Sequence, residues 1–138
     1  MATITLEWLR GYALAFPGAT EQIQWGADLL FKVGGKMFVV TGLESAEENR
    51  SISIKTTPEE FARLTELEGI APSAYTGRYH WITIRPEAPL KRKEIEALIT
   101  GAYGLVFSKL PKRVRDEIAA AEPARNQARG QSAPGNDI

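Results

Sequence analysis

Apolar residues recur every three or four positions in three separated segments, which is the spacing of helices that bury one side. Thr5 is placed to cap the first helix, and Thr57, Pro58 and Glu60 form the capping-box pattern that begins the second. A further helix is predicted to begin at Pro111. The apolar stripes are Leu6, Leu9, Tyr12, Ala13 and Phe16; Phe61, Leu64 and Leu67; and Leu90, Ile95, Leu98, Ile99, Ala102, Tyr103 and Val106.

Between these helices the chain has short segments with the composition of β-strands. Strands are predicted at residues 20–25, 29–33, 36–43, 51–55 and 79–84, and residues 44–50 are expected to form a solvated loop. Residues 51–55 alternate serine with isoleucine, as in a strand that buries one face. Gly34 and Gly35 supply the positive φ angles of a tight hairpin turn between the second and third strands.

The order of these elements predicts an α+β fold. About five strands, mostly in hairpin order, would form a mostly antiparallel sheet that packs on helices in two layers. One face of the sheet would lie under the helices, and the other would be at least partly open. We expect one domain over residues 1–121, followed by a disordered tail at residues 122–138, where Pro, Gly, Asn, Gln, Ser and Arg replace the apolar pattern.

Composition narrows the class of protein. A chain of 138 residues with 43% hydrophobic and 25% charged residues is an ordinary globular domain. The absence of cysteine excludes thiol catalysis and cysteine-ligated metal sites. No apolar run approaches the roughly 20 residues of a membrane span, and no basic segment begins a signal peptide. We therefore expect a cytoplasmic protein without a membrane partner.

The charges balance over the whole chain, with 17 basic and 17 acidic residues. Residues 1–84 carry seven Lys and Arg against ten Asp and Glu, a net −3, and residues 85–138 carry ten against seven, a net +3. This tilt is weaker than that of a dedicated DNA-binding domain.

The last predicted strand contains the single histidine and an adjacent tryptophan. Alternation places His80 on the buried side with Ile82, and Trp81 on the opposite, open face. Lys32 and Lys55 are predicted on the same open face, and Arg78 lies nearby in sequence. Such a surface could stack planar groups and pair with phosphate or carboxylate. The alternative is that Trp81 lies beneath the C-terminal helices as an ordinary strand aromatic.

Two further basic features are candidates for phosphate contact. Lys36 follows the Gly34-Gly35 turn, and a hairpin tip can touch a nucleic-acid backbone as a wing, although no phosphate-loop motif is present. Lys112 and Arg113 belong to the densest basic run, KLPKRVR, where positive charges at a helix start oppose the helix dipole.

The sequence offers no catalytic residue, metal site or cofactor motif. His80 has no partner in the DxH or HxxE spacings that would orient a general base. The acidic residues of ESAEENR and PEEF are spaced as solvated charges rather than as a calcium loop. A histidine with satisfied hydrogen bonds at the core margin is the expected role of His80.

Five blocks in order resemble the MmcQ/YjbR-like proteins, small bacterial domains described as DNA-binding. They are FPGATEQIQWG, LLFKVGGKMFVV, SIKTTPEEFARL, GIAPSAYTGRYHWITI and ALITGAYGLVFSKLPKR, and the resemblance covers about residues 3–118. It implies a CyaY-like, or frataxin-like, α+β fold, also described as a double wing. Frataxin-like iron binding would need an acidic first helix, where this chain has Glu7 alone. Positions typical of the family are Trp25, Gly26, Phe31, Lys32, Gly35, Lys36, Tyr75, Arg78, His80, Trp81, Leu110, Pro111 and Lys112.

The leading functional expectation is therefore a non-enzymatic binding domain for DNA. Its phosphate contacts would come from the hairpin lysines, Lys55, the residues from Arg78 to Trp81, and the LPKR run with Lys112 and Arg113. The alternative is a domain that binds a small anionic ligand or a protein partner through Tyr75, Arg78, His80 and Trp81. Neither alternative involves a cofactor.

Overall fold

A computed structural model describes residues 4–42 and 50–129, with side chains to residue 121. The helices are α1 (Leu6–Ala13), α2 (Pro58–Leu64), α3 (Arg92–Ser108) and α4 (Lys112–Arg129). The strands are β1 (Ala19–Gln24), β2 (Asp28–Val33), β3 (Lys36–Gly42), β4 (Ile52–Lys55), β5 (Ile70–Pro72) and β6 (Trp81–Ile84). None of the described helices is long and apolar enough to span a lipid bilayer.

The predicted α+β fold is confirmed. The strands form one antiparallel sheet in the order β1-β2-β3-β4-β6-β5. The sheet has six strands rather than about five, because residues 70–72 form a short edge strand beside β6. Three residues are too few to show an alternating pattern, so this strand was not predicted.

The start signals of two helices act as predicted. Thr5 caps α1 by accepting a hydrogen bond from the Trp8 amide at 3.0 Å. Thr57 and Glu60 form a reciprocal capping box at the start of α2, with both hydrogen bonds at 3.1 Å. These contacts satisfy amide groups that a helix start otherwise leaves without partners.

The hydrophobic core lies between the helices and one face of the sheet. Antiparallel register aligns Ile54 with Ile82 and Ile52 with Ile84, and all four side chains are buried. They join one cluster with buried residues of three helices, including Leu9 of α1, Leu64 of α2 and Ile99 of α3, and Val114 and Ile118 of α4 pack against its margin. The helix-facing side of β4 and β6 is therefore the side that the isoleucine spacing predicts.

A β-bulge gives β3 an irregular facing pattern. Phe31 pairs with Val39, but the next residue of β2, Lys32, pairs with Met37, so Phe38 is an extra residue in β3. Phe38 and Val39 both enter the core. Met37 and the residue after Val39, Val40, are left on the opposite face of the sheet.

The Gly34-Gly35 hairpin is confirmed, and a second constraint acts on it. Both glycines have positive φ, 59° and 82°, as a two-residue turn of this kind requires. A Cβ on Gly34 would lie 2.6 Å from a methyl carbon of Leu110, which is buried. Leu110, which lies between α3 and α4, therefore packs directly on the hairpin turn.

Within residues 4–42 and 50–129, three residues other than glycine have positive φ: Trp25 (52°), Tyr75 (67°) and His80 (68°). Trp25 lies in the β1–β2 turn. Tyr75 is the central residue of a γ-turn, in which the Thr76 amide donates to the Ala74 carbonyl at 2.8 Å. A γ-turn with positive φ is rare and strained in proteins, and bulky residues seldom adopt this backbone.

Two sequence predictions about loops and strand ends are wrong. The strand predicted at residues 79–84 begins at Trp81, because residues 77–79 form a 3-10 turn and His80 is left-handed. Arg50, predicted in a solvated loop, is buried, and its Nη1 donates to the Gly42 carbonyl at 2.6 Å. The remaining residues of that predicted loop, 44–49, lie outside the described residues.

The predicted boundary at residue 121 is not the end of a helix. The backbone of α4 continues to Arg129, so the first eight residues assigned to a disordered tail are helical. Residues 130–138 lie outside the described part of the chain, and their disorder stays a prediction.

Replacing Ile82 by alanine tests the assignment of sheet faces. Ile82→Ala removes a buried side chain and should lower the free energy of unfolding by about 2–5 kcal/mol. Ile23→Ala is the matched control, because Ile23 is 60% exposed and its loss should cost about 0.5 kcal/mol or less. Chemical denaturation measures both changes. Equal unfolding midpoints for the two variants would contradict the assignment.

Replacing Tyr75 tests the strained turn. Tyr75 is 97% exposed, so its ring contributes little packing, and the backbone conformation dominates the effect of substitution. Tyr75→Gly should be more stable than Tyr75→Ala by about 1 kcal/mol, because glycine adopts positive φ without steric cost. At the neighbouring exposed Ala74, which lacks positive φ, substitution by glycine should instead destabilise the protein. Thermal unfolding of the three variants gives the comparison, and greater stability of Tyr75→Ala would show that the turn is relaxed.

Candidate functional site

A cleft of about 680 Å³ lies on the face of the sheet opposite the core. Its floor comes from β3, β4 and β6, one wall from the β1–β2 turn, and the other from the connection between β5 and β6. The lining residues are Trp25, Asp28, Met37, Val40, Ser53, Ser73, Ala74, Tyr75, Thr76, Trp81 and Thr83. Ser53, Trp81 and Thr83 form part of this floor because they alternate along β4 and β6 with the isoleucines that point into the core.

Three aromatic residues surround the cleft. Trp81 is 5% exposed and belongs to the floor, whereas Trp25 is 67% exposed and Tyr75 97% exposed. Trp25 and Tyr75 are the two aromatic residues whose backbone is left-handed within the cleft lining. Strained residues of this kind cluster at ligand clamps and active sites, and they persist only where the surrounding structure holds them.

A row of hydroxyl groups crosses the floor. The Thr83 hydroxyl lies 2.9 Å from that of Ser53 and 3.0 Å from that of Ser73. Each hydroxyl can donate one hydrogen bond and accept others, so the row satisfies itself and keeps capacity for a ligand. Among the described residues that line the cleft, Asp28 is the one carboxylate.

Trp81 lies on the face that alternation predicts, but it is buried rather than open. Residues of the β5–β6 connection line the cleft beside it, whereas the four described helices pack against the core cluster, to which Trp81 does not belong. Its carbonyl accepts from the Ser73 amide at 3.0 Å, and its amide donates to the Thr76 carbonyl at 3.4 Å. The predicted face of Trp81 is therefore correct, but the expectation that its side chain is exposed is wrong. The alternative that places Trp81 beneath the C-terminal helices is also wrong.

The other residues predicted near Trp81 lie at one end of the cleft or outside it. Lys55 is the cross-strand partner of Trp81, and its ammonium donates to the Tyr79 carbonyl at 2.8 Å. Arg78 is exposed, with its guanidinium 4.9 Å from the centroid of the Tyr79 ring. His80 meets the Phe61 ring edge-on at 5.4 Å between centroids, and its carbonyl accepts from Thr56. His80 is not part of the cleft lining.

Partial burial lowers the pKa of Lys55, and the positive charge of Lys109 lowers it further. The C-terminal end of α3 therefore brings a second ammonium close to the end of β4. Lys36 lies at the same end of the strands as Lys55, because β3 begins where β4 ends. We call Lys36, Lys55, Lys109, Lys112 and Arg113 the basic end.

Some predicted phosphate-binding residues already have partners. Lys112 pairs with Asp116 at 2.8 Å and Arg113 with Glu117 at 3.4 Å, both as exposed pairs one helical turn apart. Such pairs contribute little to stability, and a phosphate could replace the carboxylate partners. Lys32 lies on the cleft side of β2 and donates to the Gln22 side chain at 2.6 Å, so it is directed toward β1 rather than into the cleft.

Sequence patterns alone gave no reason to single out most of the cleft. Of the four residues named for the alternative ligand-binding function, Tyr75 and Trp81 line the cleft, and Arg78 and His80 do not. Trp25 was identified through the family resemblance alone, and Asp28 was not predicted. The available signal was a bulky residue before a glycine in a hairpin turn, Trp25-Gly26, since such a residue is forced into an uncommon backbone conformation. The convergence of two distant loops over one sheet face carries no local signal.

Comparison with known proteins gives consistent matches. The YjbR family model matches residues 14–105. YjbR of Escherichia coli strain K12 is 27% identical over 115 residues, which cover 81% of this chain and 95% of that protein. Every residue that lines the cleft falls within the segment that the family model matches, whereas Lys112 and Arg113 lie beyond it.

Two solved structures have a similar fold. The crystal structure of Deinococcus radiodurans protein DR2400, with a DUF419 domain, matches with a TM-score of 0.75 and 26% identity over 83% of this chain and 88% of that one. A crystal structure of a Pseudomonas syringae protein matches with a TM-score of 0.60 and 22% identity over 75% of this chain and 99% of that one. The family resemblance inferred from the five sequence blocks is confirmed, since the family model matches about two-thirds of the chain. This chain belongs to the YjbR family.

Proposed function

We propose that this YjbR-family protein is a binding domain for a small organic molecule with a planar apolar part, which occupies the cleft. The observation that carries the proposal is the pair of strained aromatic residues, Trp25 and Tyr75, on opposite walls of an otherwise preformed cleft. The cleft volume of about 680 Å³ falls within the usual range of small-molecule sites, about 300–1,000 Å³.

The exposure of the wall aromatics supports ligand binding. An indole that is 67% exposed and a phenol that is 97% exposed bury little apolar surface in the free protein. Their left-handed backbone costs free energy, about 1–3 kcal/mol per residue, without a compensating contact of the rings in the core. A planar ligand between them would bury both rings, and stacked aromatic pairs contribute about 0.5–1.5 kcal/mol beyond the buried area.

The floor of the cleft favours a ligand that has both apolar and hydrogen-bonding groups. Met37 and Val40 offer an apolar surface, and a methionine side chain adapts to irregular shapes and contacts aromatic rings favourably. The Ser53, Thr83 and Ser73 hydroxyls offer hydrogen bonds that would fix the orientation of the ligand. A few directional polar groups in an apolar cleft are typical of small-molecule sites.

The three tryptophans provide an internal test of this proposal. Trp25 and Trp81 line the cleft, whereas Trp8 lies in α1 and stacks on Tyr12. When planar heteroaromatic fragments are titrated into ¹⁵N-labelled protein, the indole N–H signals of Trp25 and Trp81 should shift and that of Trp8 should not.

A substitution completes the test. Trp25→Ala should weaken the bound fragments by about threefold to tenfold, the equivalent of one stacked ring. Trp8→Phe, remote from the cleft, serves as the control and should leave the affinity unchanged. If no fragment shifts the two cleft indoles, or if all three indoles shift alike, the proposal is wrong.

DNA binding is the second candidate function, and the basic end favours it. Lys55 and Lys109 are close enough for one charge to lower the pKa of the other ammonium, and a phosphate between them would relieve this repulsion. The hairpin that carries Lys36 is fixed to the start of α4 by the contact of Gly34 with Leu110. A backbone phosphate contact through these residues would be independent of DNA sequence.

Charge reversal tests DNA binding. Lys112→Glu with Arg113→Glu should abolish retention of a DNA duplex at about 10 μM protein in 50 mM salt, and wild-type binding should weaken steeply by 200 mM salt. The matched control is Arg85→Glu with Lys93→Glu, which changes the charge equally at exposed positions near the other end of α3. Gel-shift titrations measure both. No duplex retention by the wild type, or equal binding by the two double variants, would exclude the basic end as a DNA site.

A further inference from the structure

The charge that lines the cleft is negative, and this bears on what the cleft can bind. Asp28 is the first residue of β2 and follows Trp25 by one tight turn, because Gln24 and Asp28 are paired in the hairpin. The turn fixes the indole of Trp25 and the carboxylate of Asp28 at the same wall of the cleft. The hairpin pairing of β1 with β2 therefore places both residues in the lining of one cleft.

The carboxylate has no positive partner in the part of the chain that the structure describes. Asp28 is half-buried, and the ion pairs of the described residues are Arg10 with Glu21, Lys112 with Asp116, and Arg113 with Glu117. A partly desolvated carboxylate beside apolar side chains gains more from a cation than an exposed one does, because the effective dielectric constant is lower.

The aromatic walls favour the same sign of ligand charge. The faces of aromatic rings carry negative electrostatic potential, so tryptophan and tyrosine attract cations and repel anions. Trp25, Tyr75 and Trp81 all line the cleft. Their preference and that of the Asp28 carboxylate arise from different physical sources and add together.

Basic residues near the cleft make other contacts. The Arg50 guanidinium, which does not line the cleft, donates to the carbonyl of Gly42, the cross-strand partner of Asp28, and to the Thr41 hydroxyl. The Lys32 ammonium is held by the Gln22 side chain, and the Lys55 ammonium is held by the Tyr79 carbonyl. Neither residue lines the cleft. The small anionic ligand expected from the sequence would therefore meet a carboxylate and ring faces rather than an ammonium group.

We propose that the ligand of the cleft is an organic cation, specifically a planar heteroaromatic cation whose ring lies against Trp25 and whose charge lies beside Asp28. The inference rests on the proposed ligand-binding function and adds the charge and shape of the ligand. A fused bicyclic ring suits a cleft of about 680 Å³ better than a single ammonium group, which would leave most of the volume to water.

Three probes of similar shape and different charge test the proposal. They are 1-methylquinolinium, which is a cation, quinoline, which is neutral at pH 7.5, and naphthalene-2-carboxylate, which is an anion. Calorimetric titration of the wild type should give an affinity for the cation about tenfold above that for the neutral probe, with the anion weakest.

Variants assign the preference to Asp28. Asp28→Asn keeps the shape of the side chain and removes its charge, so the cation should lose about tenfold in affinity while quinoline binding is unchanged. Unchanged quinoline binding also shows that the variant is folded. Asp116→Asn is the matched control, because it removes the same charge at an exposed position on α4, and it should alter no affinity.

The outcomes separate this inference from the function on which it rests. If the probes shift the indole signals of Trp25 and Trp81 but bind equally, or if the anion binds best, the charge assignment is wrong and the ligand site remains. An unaltered cation preference in Asp28→Asn would also overturn the assignment. If no probe binds the wild type or shifts these signals, the inference and the proposed function both fail.

Discussion

The constraint on which the rest of the structure depends is that the sheet is covered by helices on one face alone. Because side chains alternate along a strand, burying Ile54 and Ile82 against the helices forces Ser53, Trp81 and Thr83 to the other face. That face includes an indole that must be removed from water, although no described helix lies on it. Two connections flank this face instead, the β1–β2 turn and the segment between β5 and β6, and the space between them is the cleft.

Patterns of local origin were predictable from the sequence, and patterns of long-range origin were not. The alternation in β4 predicted its buried side, and Gly34-Gly35 predicted the hairpin, because each depends on neighbours in sequence. Arg50 was misassigned because its hydrogen-bond partner, the Gly42 carbonyl, belongs to another strand. The strand boundary at Trp81 was misassigned because the left-handed conformation of His80 is held by contacts of its carbonyl with Thr56, which the sequence does not indicate.

The same distinction applies to the candidate site. Trp81 and Lys55 were correctly placed on one face, since cross-strand register follows from alternation. The charge of the candidate site was predicted wrongly. The sequence places Trp81 near Arg78 and Lys55, whereas in the fold Trp81 lines the same cleft as Asp28 and Trp25. The basic end lies instead where β3 begins and β4 ends. The cleft and the basic end are distinct surfaces, and the segment from Ser73 to His80 borders both of them.

The most direct measurement of an open cleft is a crystal structure of the protein soaked in aqueous isopropanol, which maps where an uncovered apolar surface accepts an organic molecule. We expect isopropanol between the rings of Trp25 and Tyr75, above Val40, with Trp81 beneath the β5–β6 connection. A structure in which the ring of Trp25 or Tyr75 folds down onto Met37 and fills this space would contradict the existence of a preformed site.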